Sequence, residues 1–414
     1  MVLEHPHSSA TGNGETVPRP VAVRPSMPNT RAPINPTSRP APEEPVLILG
    51  RLPKASVKTL KGQHRVTLNI ARNLPGKNSV VTLLKQGGIL GRLLRWQPNH
   101  RTLDGVEFRE LSLLRLLATL AAHRKVLITA GYYYGILACG IKVLTLGRLR
   151  VAHRTGGFVR EERRISNTLR EASGNGVFEV ALEYAVLRMA DQILVNSDFY
   201  SSRLQNVYPF TRGKTLLLRN GIDDSLLPNR SHKDRGDTEP VRLLSVTNLF
   251  GKKGVDILVE TFRRVPAIRP IELTIVGDGL ESMKNLIEAS AQDASLRSQG
   301  KQIKLLSGLD NASMRKVYQE SDLYLQLSRF DEGPSAVLEA YCYGLPLLLS
   351  NAVGTAPEIL ESRSCRICAP DPAEASRVLA EILSNLPPVQ KGGPPLEPLL
   401  WRNILGNIAP ALFS

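Results

Sequence analysis

The residues best suited to chemistry lie together in one acidic, glycine-containing stretch in the last third of the chain. Residues 328–340 read SRFDEGPSAVLEA, in which an acidic loop runs into an apolar helix. The backbone N–H groups at the start of such a helix form a ready binding site for phosphate. The carboxylates of Asp331, Glu332 and Glu339 can accept hydrogen bonds from the hydroxyl groups of a ligand. Taken alone, the pattern is equally compatible with a structural strand–loop–helix.

Three shorter motifs precede this loop, each placed between a strand-like run and a helical run. Residues 247–256 read TNLFGKKGVD and place Lys253 at a helix start, where a lysine can bind phosphate but is usually solvated. Residues 276–279 read VGDG, which is a glycine turn well short of a full G-x-G-x-x-G motif. Residues 307–309, SGL, follow the next strand-like run.

The first half of the chain offers fewer candidates. His153 follows a strand-like run at 150–152, although a lone histidine is more often structural. Glu161 and Glu162 lie just beyond it, in a segment that we interpret as a loop. Residues 61–65 read KGQHR and place Gly62 before a helix predicted at 66–74. Asn220-Gly221 is a turn signal, and we expect it to be mainly architectural.

Alternating strand-like and helical runs must position these motifs. In the first half, buried strands are predicted at 46–49, 80–84, 126–129 and 193–196, and helices at 111–122 and 177–190. A second series of the same kind covers residues 241–327. Such alternation predicts βαβ units, and therefore two Rossmann-like domains with parallel sheets. Two facing domains leave a cleft along the carboxyl ends of their strands, where ligands bind in open α/β folds.

Composition divides the chain further. Residues 1–45 contain ten prolines and almost no large apolar residues, which predicts a disordered tail. A polar stretch later interrupts the pattern and is interpreted as a linker. The predicted divisions are 1–45 (tail), 46–227 (first domain), 228–240 (linker), 241–395 (second domain) and 396–414 (a segment with a helix).

The positive charge is concentrated in the first half. The chain has 414 residues and a formal net charge of +15. Residues 46–230 hold 29 lysines and arginines against 12 aspartates and glutamates. Such a field attracts an anionic membrane, another anionic molecule or nucleic acid, unless it is merely a solubilising surface. Nucleic acid is disfavoured, because aromatic residues make up only 5% and no binding motif is present.

The sequence predicts a cytoplasmic protein, peripheral to the inner face of a membrane at most. No uncharged apolar run is long enough to span a bilayer, and the first residues do not resemble a secretory signal. Residues 89–96, ILGRLLRW, combine leucines, a tryptophan and two arginines, as in a segment that lies in a membrane interface. An amphipathic helix packed on the sheet explains them equally well.

Cysteine chemistry is disfavoured. The chain has four cysteines, of which Cys365 and Cys368 form a C-x-x-C without a second pair or a nearby histidine. The stretch around them has the pattern of a strand, in which positions i and i+3 point to opposite faces. We therefore expect both cysteines to pack in the core rather than to bind metal or to react.

The acidic loop, together with residues 351–358, NAVGTAPE, resembles the E-x7-E region of the group 1 (family 4) glycosyltransferases. The resemblance covers residues 46–385 and is most specific in the C-terminal part. It implies a GT-B fold, in which 46–227 bind the acceptor, 241–395 bind the nucleotide sugar and 396–414 pack back across the domains. It also implies retention of the anomeric configuration with no cofactor or bound metal ion. The absence of a D-x-D pair on a suitable loop agrees.

The resemblance assigns roles to the donor side of the site. Glu339 would hold the donor ribose. Asp331, eight residues earlier, would contact the donor sugar, with Glu332 as the second candidate. Lys253 would pair with the donor diphosphate. Asn248 stands where the family commonly has an arginine, so a second cation would come from elsewhere, for instance Lys252.

The remaining implied roles concern the base, the loop amides and the acceptor. Gly308 would lie at the nucleotide base, and the loop at Gly333, Pro334 and Ser335, with its backbone N–H groups near Gly333, would lie at the diphosphate. His153 would lie close to the donor sugar. The acceptor side would include Gly62, Glu161 and Glu162.

The resemblance therefore predicts transfer of a hexose-like unit from a nucleotide sugar to a cell-envelope, lipid-linked or exopolysaccharide acceptor. Two enzymatic alternatives share the fold, namely a sugar-nucleotide epimerase and a phosphorylase. A third alternative is a degenerate, non-catalytic subunit that binds the donor, which the Asn248 substitution and the uncertain first acid would favour.

Overall fold

The computed structural model describes residues 45–50, 62–76, 78–83, 99–169, 176–222, 239–389 and 396–414. These described residues belong to one compact unit. They form two sheets, one of eight strands and one of six. We call the first sheet with its helices the N-terminal lobe and the second sheet with its helices the C-terminal lobe. The predicted α/β class with two parallel sheets is confirmed.

The N-terminal sheet has the strand order β3-β4-β2-β1-β5-β6-β7-β8. Every pair is parallel except β3 with β4. Its strands are β1 (Leu47–Leu49), β2 (Ser79–Leu83), β3 (Asn99–Leu103), β4 (Val106–Leu111), β5 (Lys125–Ile128), β6 (Arg150–Arg154), β7 (Gln192–Val195) and β8 (Thr215–Leu217). Ile48 packs in one core cluster and Leu47 and Leu49 in another, so both faces of the sheet are covered.

Six helices of the N-terminal lobe connect these strands within the described ranges. They are α1 (Gly62–Asn73), α2 (Leu113–Ala122), α3 (Gly131–Leu144), α4 (Val159–Thr168), α5 (Val177–Met189) and α6 (Asp198–Val207). The strand β5 is followed closely by the helix α3, which begins at Gly131.

The antiparallel hairpin β3–β4 was not predicted from the sequence. Its two-residue turn consists of Asp104 and Gly105, with φ values of 50° and 79°. Asp-Gly is a strong signal for such a turn, because both positions require positive φ. The same strand corrects the predicted helix at 111–122, since Leu111 ends β4 and the helix begins at Leu113.

The C-terminal sheet is entirely parallel, with the order β11-β10-β9-β12-β13-β14. Its strands are β9 (Val241–Val246), β10 (Ile271–Val276), β11 (Lys301–Leu306), β12 (Leu323–Gln326), β13 (Leu347–Ser350) and β14 (Cys365–Cys368). Its helices are α7 (Val255–Arg264), α8 (Glu281–Gln292), α9 (Ala294–Ser298), α10 (Asn311–Gln319), α11 (Ser335–Cys342), α12 (Pro357–Leu360) and α13 (Pro372–Ser384).

The two cysteines of the C-x-x-C motif are core residues on opposite faces of the sheet. Both are buried, unoxidised and placed at the two ends of β14. Cys365 packs in one core cluster of the lobe and Cys368 in the other. Burial raises the pKa of Cys365 to about 11 and that of Cys368 to about 12. The prediction that both cysteines pack in the core is confirmed.

The end of the chain connects the lobes. Leu396, Leu399 and Leu400 pack in the core of the C-terminal lobe. The last helix, α14 (Trp401–Ile408), instead packs in the core of the N-terminal lobe, against α1. The peptide N–H of Ile222 donates to the carbonyl oxygen of Leu399 at 2.8 Å, so the two crossing segments are hydrogen-bonded to each other. The described end of the chain thus contains a helix that packs against the N-terminal lobe.

Three predictions fall on residues outside the described ranges: the tail up to residue 44, the interfacial segment at 89–96, and the linker up to residue 238. The predicted domain boundaries stay a prediction. No helix in the described part of the chain is both long enough and apolar enough to cross a membrane.

Candidate functional site

The N-terminus of α11 lies at the interface between the lobes. The residue before it is Pro334, and no side chain caps the first turn. The carbonyl oxygen of Gly333 accepts a hydrogen bond of 2.7 Å from Nδ2 of Asn220 in the N-terminal lobe. Because amides at a helix N-terminus favour a negative charge, this turn offers an anion site where the two sheets face each other.

Lys253 and Asp331 form a close ion pair beside that turn. Lys253 Nζ lies 2.8 Å from Asp331 Oδ2, and the two side chains are only 12% and 6% exposed. Lys253 ends a short 3-10 turn, and Gly254, which follows it, has a φ of +66° and precedes α7. The ammonium group is therefore fixed in place by Asp331 rather than solvated.

A second ion pair fastens the acidic loop to the turn that carries Lys253. The guanidinium of Arg329 donates to both carboxylate oxygens of Asp256, at 2.7 and 2.6 Å, and to the carbonyl oxygen of Gly251 at 2.8 Å. Such a bidentate pair sets orientation as well as distance. The backbone N–H of Arg329 also donates to the carbonyl oxygen of Lys252, at 2.9 Å. The relative position of the two loops is thus determined by several bonds.

Glu332 connects the two lobes. Its Oε1 accepts a hydrogen bond of 3.2 Å from the backbone N–H of Phe158 in the N-terminal lobe. Its carbonyl oxygen accepts one of 2.5 Å from the hydroxyl of Ser197, which caps α6. Lys252 Nζ lies 3.9 Å from Glu332 Oε1 and donates to Glu162 Oε1 at 2.5 Å.

The charges in this interface balance one another. Burial acts to raise the pKa of Glu332, but the ammonium groups of Lys252 and Lys253 hold that pKa below its ordinary value. Burial raises the pKa of Glu162, against the attraction of Lys252. Burial would lower the pKa of Lys252, yet Glu332 and Glu162 together raise it. Lys252 therefore already has two carboxylate partners, and it is a poor source of the second cation for a diphosphate.

Glu339 is bound on both oxygens. Arg65, from the first turns of α1 in the N-terminal lobe, donates to Oε1 at 3.0 Å and to Oδ1 of Asn311 at 3.0 Å. The hydroxyl of Tyr318 donates to Oε2 at 3.0 Å. Burial raises the pKa of Glu339, while Arg65 and the Tyr318 hydrogen bond oppose the rise. Sequence reasoning missed Arg65, although it lies within the KGQHR motif that supplied Gly62.

His153 is buried on the N-terminal side of the interface. Its ring is 1% exposed and lies 5.0 Å from the ring of Tyr132, centroid to centroid. Neither ring nitrogen has a hydrogen-bond partner among the described residues. Burial lowers the pKa of His153 to about 3, so the ring is neutral at neutral pH. A buried neutral imidazole with two unpaired nitrogens can accept or donate a hydrogen bond to a ligand.

The interpretation of Glu161 and Glu162 as loop residues is wrong. Both lie in the first turn of α4, where acidic side chains are favoured by the helix dipole. Glu161 is buried and forms ion pairs with Arg164 at 2.8 Å and with Arg203 at 2.5 Å. Glu162 points to the opposite lobe, at Lys252. Neither carboxylate is presented from a mobile loop, so an acceptor would meet an ion-paired surface here.

The other predicted residues lie at the edges of the site. Asn248 is exposed after β9, and Gly308 is exposed after β11 with a φ of +67°. Gly62 is the first residue of α1. Within the described ranges, no three His, Cys, Asp or Glu side chains are grouped so as to hold a metal ion.

Comparison with known proteins agrees with this geometry. Residues 229–390 match the sequence model of the family described as glycosyl transferases group 1. One component of phosphatidylinositol N-acetylglucosaminyltransferase from Arabidopsis thaliana is 26% identical over 177 residues, which are 42% of this chain and 38% of that protein. The chain spans between 36% and 48% of the length of the curated relatives that it matches.

Two solved structures share the fold over most of their length. Anabaena HepE, solved in complex with UDP and glucose, is 15% identical and has a TM-score of 0.55 over 90% of this chain and 96% of its own. The lipopolysaccharide outer core galactosyltransferase WaaB is 14% identical and has a TM-score of 0.62 over 89% of this chain and 99% of its own.

Two Rossmann-like lobes, with cations, carboxylates and a helix N-terminus between the carboxyl ends of their strands, define a GT-B fold. The family model and the structural neighbours then agree with the resemblance found in the sequence. Residues 229–390 thus resemble the group 1 glycosyltransferases, and the described residues share the GT-B fold of the structural neighbours.

Proposed function

We propose that this chain is a retaining glycosyltransferase that takes a sugar from a nucleotide-sugar donor, without a bound metal ion. The observation that carries the proposal is the ammonium group of Lys253, which is held beside Asp331 next to the uncapped start of α11. The ammonium group and the free N–H groups of the helix start can both donate hydrogen bonds to an anion. They are suited to a leaving diphosphate, whose negative charge grows as the anomeric bond breaks.

The other groups of the interface complete the proposed site. Glu339 would bind the ribose, Asp331 the donor sugar, and the unpaired nitrogens of His153 a sugar hydroxyl. Asp331 and Glu332 are held in ion pairs with lysines, which distinguishes them from the paired acid and base of a glycoside hydrolase. Retention is the outcome that the family resemblance implies, and the stereochemistry of the product would test it.

The acceptor that we propose is lipid-linked or part of the cell envelope. Two of the proteins that resemble this chain carry such acceptors in their names, phosphatidylinositol in one and lipopolysaccharide in the other. HepE was solved with UDP and glucose, which makes a UDP-sugar the first donor to test.

Binding of the donor is tested by thermal unfolding with UDP-, GDP-, ADP- and dTDP-sugars, on the wild type and Glu339→Ala. Ligand at a hundredfold excess over its Kd stabilises the native state by about 2.7 kcal/mol. We expect one nucleotide class to raise the Tm of the wild type and not that of Glu339→Ala. Glu288→Ala, which removes an exposed glutamate of α8, is the matched control and should respond like the wild type. No shift with any sugar nucleotide would contradict the proposal.

A second candidate, a chain that binds the donor without turnover, has one observation in its favour. Asn248 carries no charge where the family commonly has an arginine, and Lys252 is held by two glutamates. Donor binding without detectable transfer to any acceptor would support it. Sugar release that depends on inorganic phosphate would indicate a phosphorylase, and nucleotide release without an acceptor an epimerase.

Peripheral contact with an anionic membrane forms part of the proposal, because α3 has an apolar outer face. Tyr133, Val143 and Leu144 on this helix are 56%, 61% and 79% exposed. Leu146 beyond it is 94% exposed and has a φ of +51°. Arg148, which is exposed, follows this end of the helix, and its backbone N–H donates to the carbonyl oxygen of Thr145. Exposed apolar side chains beside a cation, on the lobe that holds the excess positive charge, suit the interface of an anionic bilayer.

We expect the protein to float with vesicles that contain anionic lipid and not with vesicles of phosphatidylcholine alone. Leu144→Asp should reduce flotation severalfold, because it places a negative charge in the inserted face. Ile268→Asp is the matched control, since Ile268 is 75% exposed but lies in the C-terminal lobe. Equal flotation of both variants, or none of the wild type, would contradict membrane contact through α3.

A further inference from the structure

Arg154, the last residue of β6, is a buried cation without an anionic partner. It is 5% exposed, and Nη2 donates to Oδ1 of Asn220 at 2.7 Å. Nε has no hydrogen-bond partner, and no carboxylate of the described residues forms an ion pair with this guanidinium. Burial lowers the pKa of Arg154 to about 10, which still leaves it charged at neutral pH. A buried charge is costly unless an opposite charge compensates it.

The arginine is close to the anion site at the start of α11. Nδ2 of Asn220, whose Oδ1 binds Arg154, donates to the carbonyl oxygen of Gly333 at 2.7 Å. Asn196 lies on the same edge of the sheet, and a Cβ on Gly333 would come within 3.0 Å of its side chain. Oδ1 of Asn196 is buried and also has no partner among the described residues. Arg154 is therefore two hydrogen bonds from Gly333.

The other cations around this turn are already balanced by carboxylates. Lys253 pairs with Asp331, Lys252 with Glu162 and Glu332, and Arg65 with Glu339. A diphosphate brings at least two negative charges, and Lys253 alone cannot neutralise them. Within the described part of the interface, Arg154 is the buried cation that still lacks a negative partner.

We propose that Arg154 binds a phosphate-type anion at the start of α11, and that this anion is the diphosphate of the donor. The inference rests on the proposed function for the identity of the donor. Arg154, in the N-terminal lobe, would then supply the positive charge that the family commonly places at the position of Asn248 in the C-terminal lobe. A donor bound in this way contacts both lobes and favours their closure.

Calorimetric titration of the wild type, Arg154→Met and Arg154→Lys with UDP, UMP and uridine tests the inference. If another nucleotide class binds better, its di- and monophosphate replace these. We expect Arg154→Met to weaken UDP binding roughly tenfold or more, to weaken UMP binding less, and to leave uridine unchanged. Arg154→Lys keeps the charge and should recover part of the loss. Arg150→Met, at the far end of the same strand, is the control and should bind all three ligands like the wild type.

Inorganic pyrophosphate provides a test that does not depend on the proposed function. It should raise the Tm of the wild type and of Arg154→Lys more than that of Arg154→Met, whether or not the chain transfers sugar. In the titrations, equal losses of affinity for UDP, UMP and uridine in Arg154→Met would show that Arg154 only positions Asn220 and the loop. That result would overturn the inference. Unchanged UDP affinity in a folded Arg154→Met would overturn it as well. If that variant instead weakened only the binding of a phosphorylated acceptor, the anion would belong to the acceptor and the donor assignment would be wrong.

Discussion

Lys253→Met is expected to lower kcat/KM for sugar transfer by roughly 10²–10³-fold, the usual cost of removing one preorganised group that stabilises charge in the transition state. Lys253 Nζ is fixed 2.8 Å from Asp331 in a buried position, so its charge requires no reorganisation when the diphosphate leaves. Methionine keeps the length and the apolar part of the side chain. The loss should fall mainly on kcat, because negative charge on the leaving group grows as the anomeric bond breaks.

Steady-state kinetics with the donor found by thermal unfolding measures this effect. Lys316→Met is the matched control, since Lys316 lies in the same lobe on α10 with its side chain 75% exposed. The control should keep wild-type kinetics, and both variants should unfold at similar temperatures. A Lys253→Met protein that is folded and retains more than a third of its kcat/KM would show that Lys253 is not part of the reaction.

Gly254→Ala is expected to destabilise the protein by roughly 2–5 kcal/mol, through left-handed backbone strain and overpacking together. Gly254 has a φ of +66°, and an added Cβ would lie 2.0 Å from the carbonyl oxygen of Leu327. That contact joins the turn that carries Lys253 to the start of the acidic loop. The variant should therefore also weaken donor binding in whatever fraction remains folded.

Urea unfolding of Gly254→Ala and Gly300→Ala separates the two causes. Gly300 has a φ of +72°, but the nearest atom to its added Cβ is 3.6 Å away, so this variant has backbone strain without a clash. We expect the Gly300→Ala variant to lose roughly 1–2 kcal/mol of unfolding free energy. Similar unfolding free energies for the two variants would show that the close approach to Leu327 is unimportant.

Local patterns predicted the elements well where periodicity and turn residues agree. The strands Leu47–Leu49, Lys125–Ile128 and Gln192–Val195 each lie within one residue of the predicted ranges 46–49, 126–129 and 193–196. The start of α11 was also visible, because an acidic loop with glycine and proline precedes an apolar run. The Asp104-Gly105 hairpin was equally visible in principle, but its strands are short and polar and give a weak alternation.

The contacts between lobes were beyond sequence reasoning. Arg65 and Glu339 are 274 positions apart, and Lys252 and Glu162 are 90 apart. Nothing in the local pattern around one partner specifies the other, since a charged side chain on a helix has the same pattern whether it is solvated or paired. Glu161 illustrates the same difficulty, because two glutamates followed by two arginines fit a solvated loop as well as the first turn of a helix. The roles of the individual site residues stay predictions for the same reason.

The way in which the chain ends has a mechanical consequence. The polypeptide passes between the lobes twice, and the two passages are joined where Ile222 and Leu400 pair in parallel and where the N–H of Trp401 donates to the carbonyl oxygen of Ile222. A single covalent tether would let the lobes rotate about any axis, whereas two hydrogen-bonded segments restrict that rotation. We therefore expect the lobes to open and close by rotation about a single axis. Arg65 and Glu339 would then separate on opening and form the same ion pair again on closing.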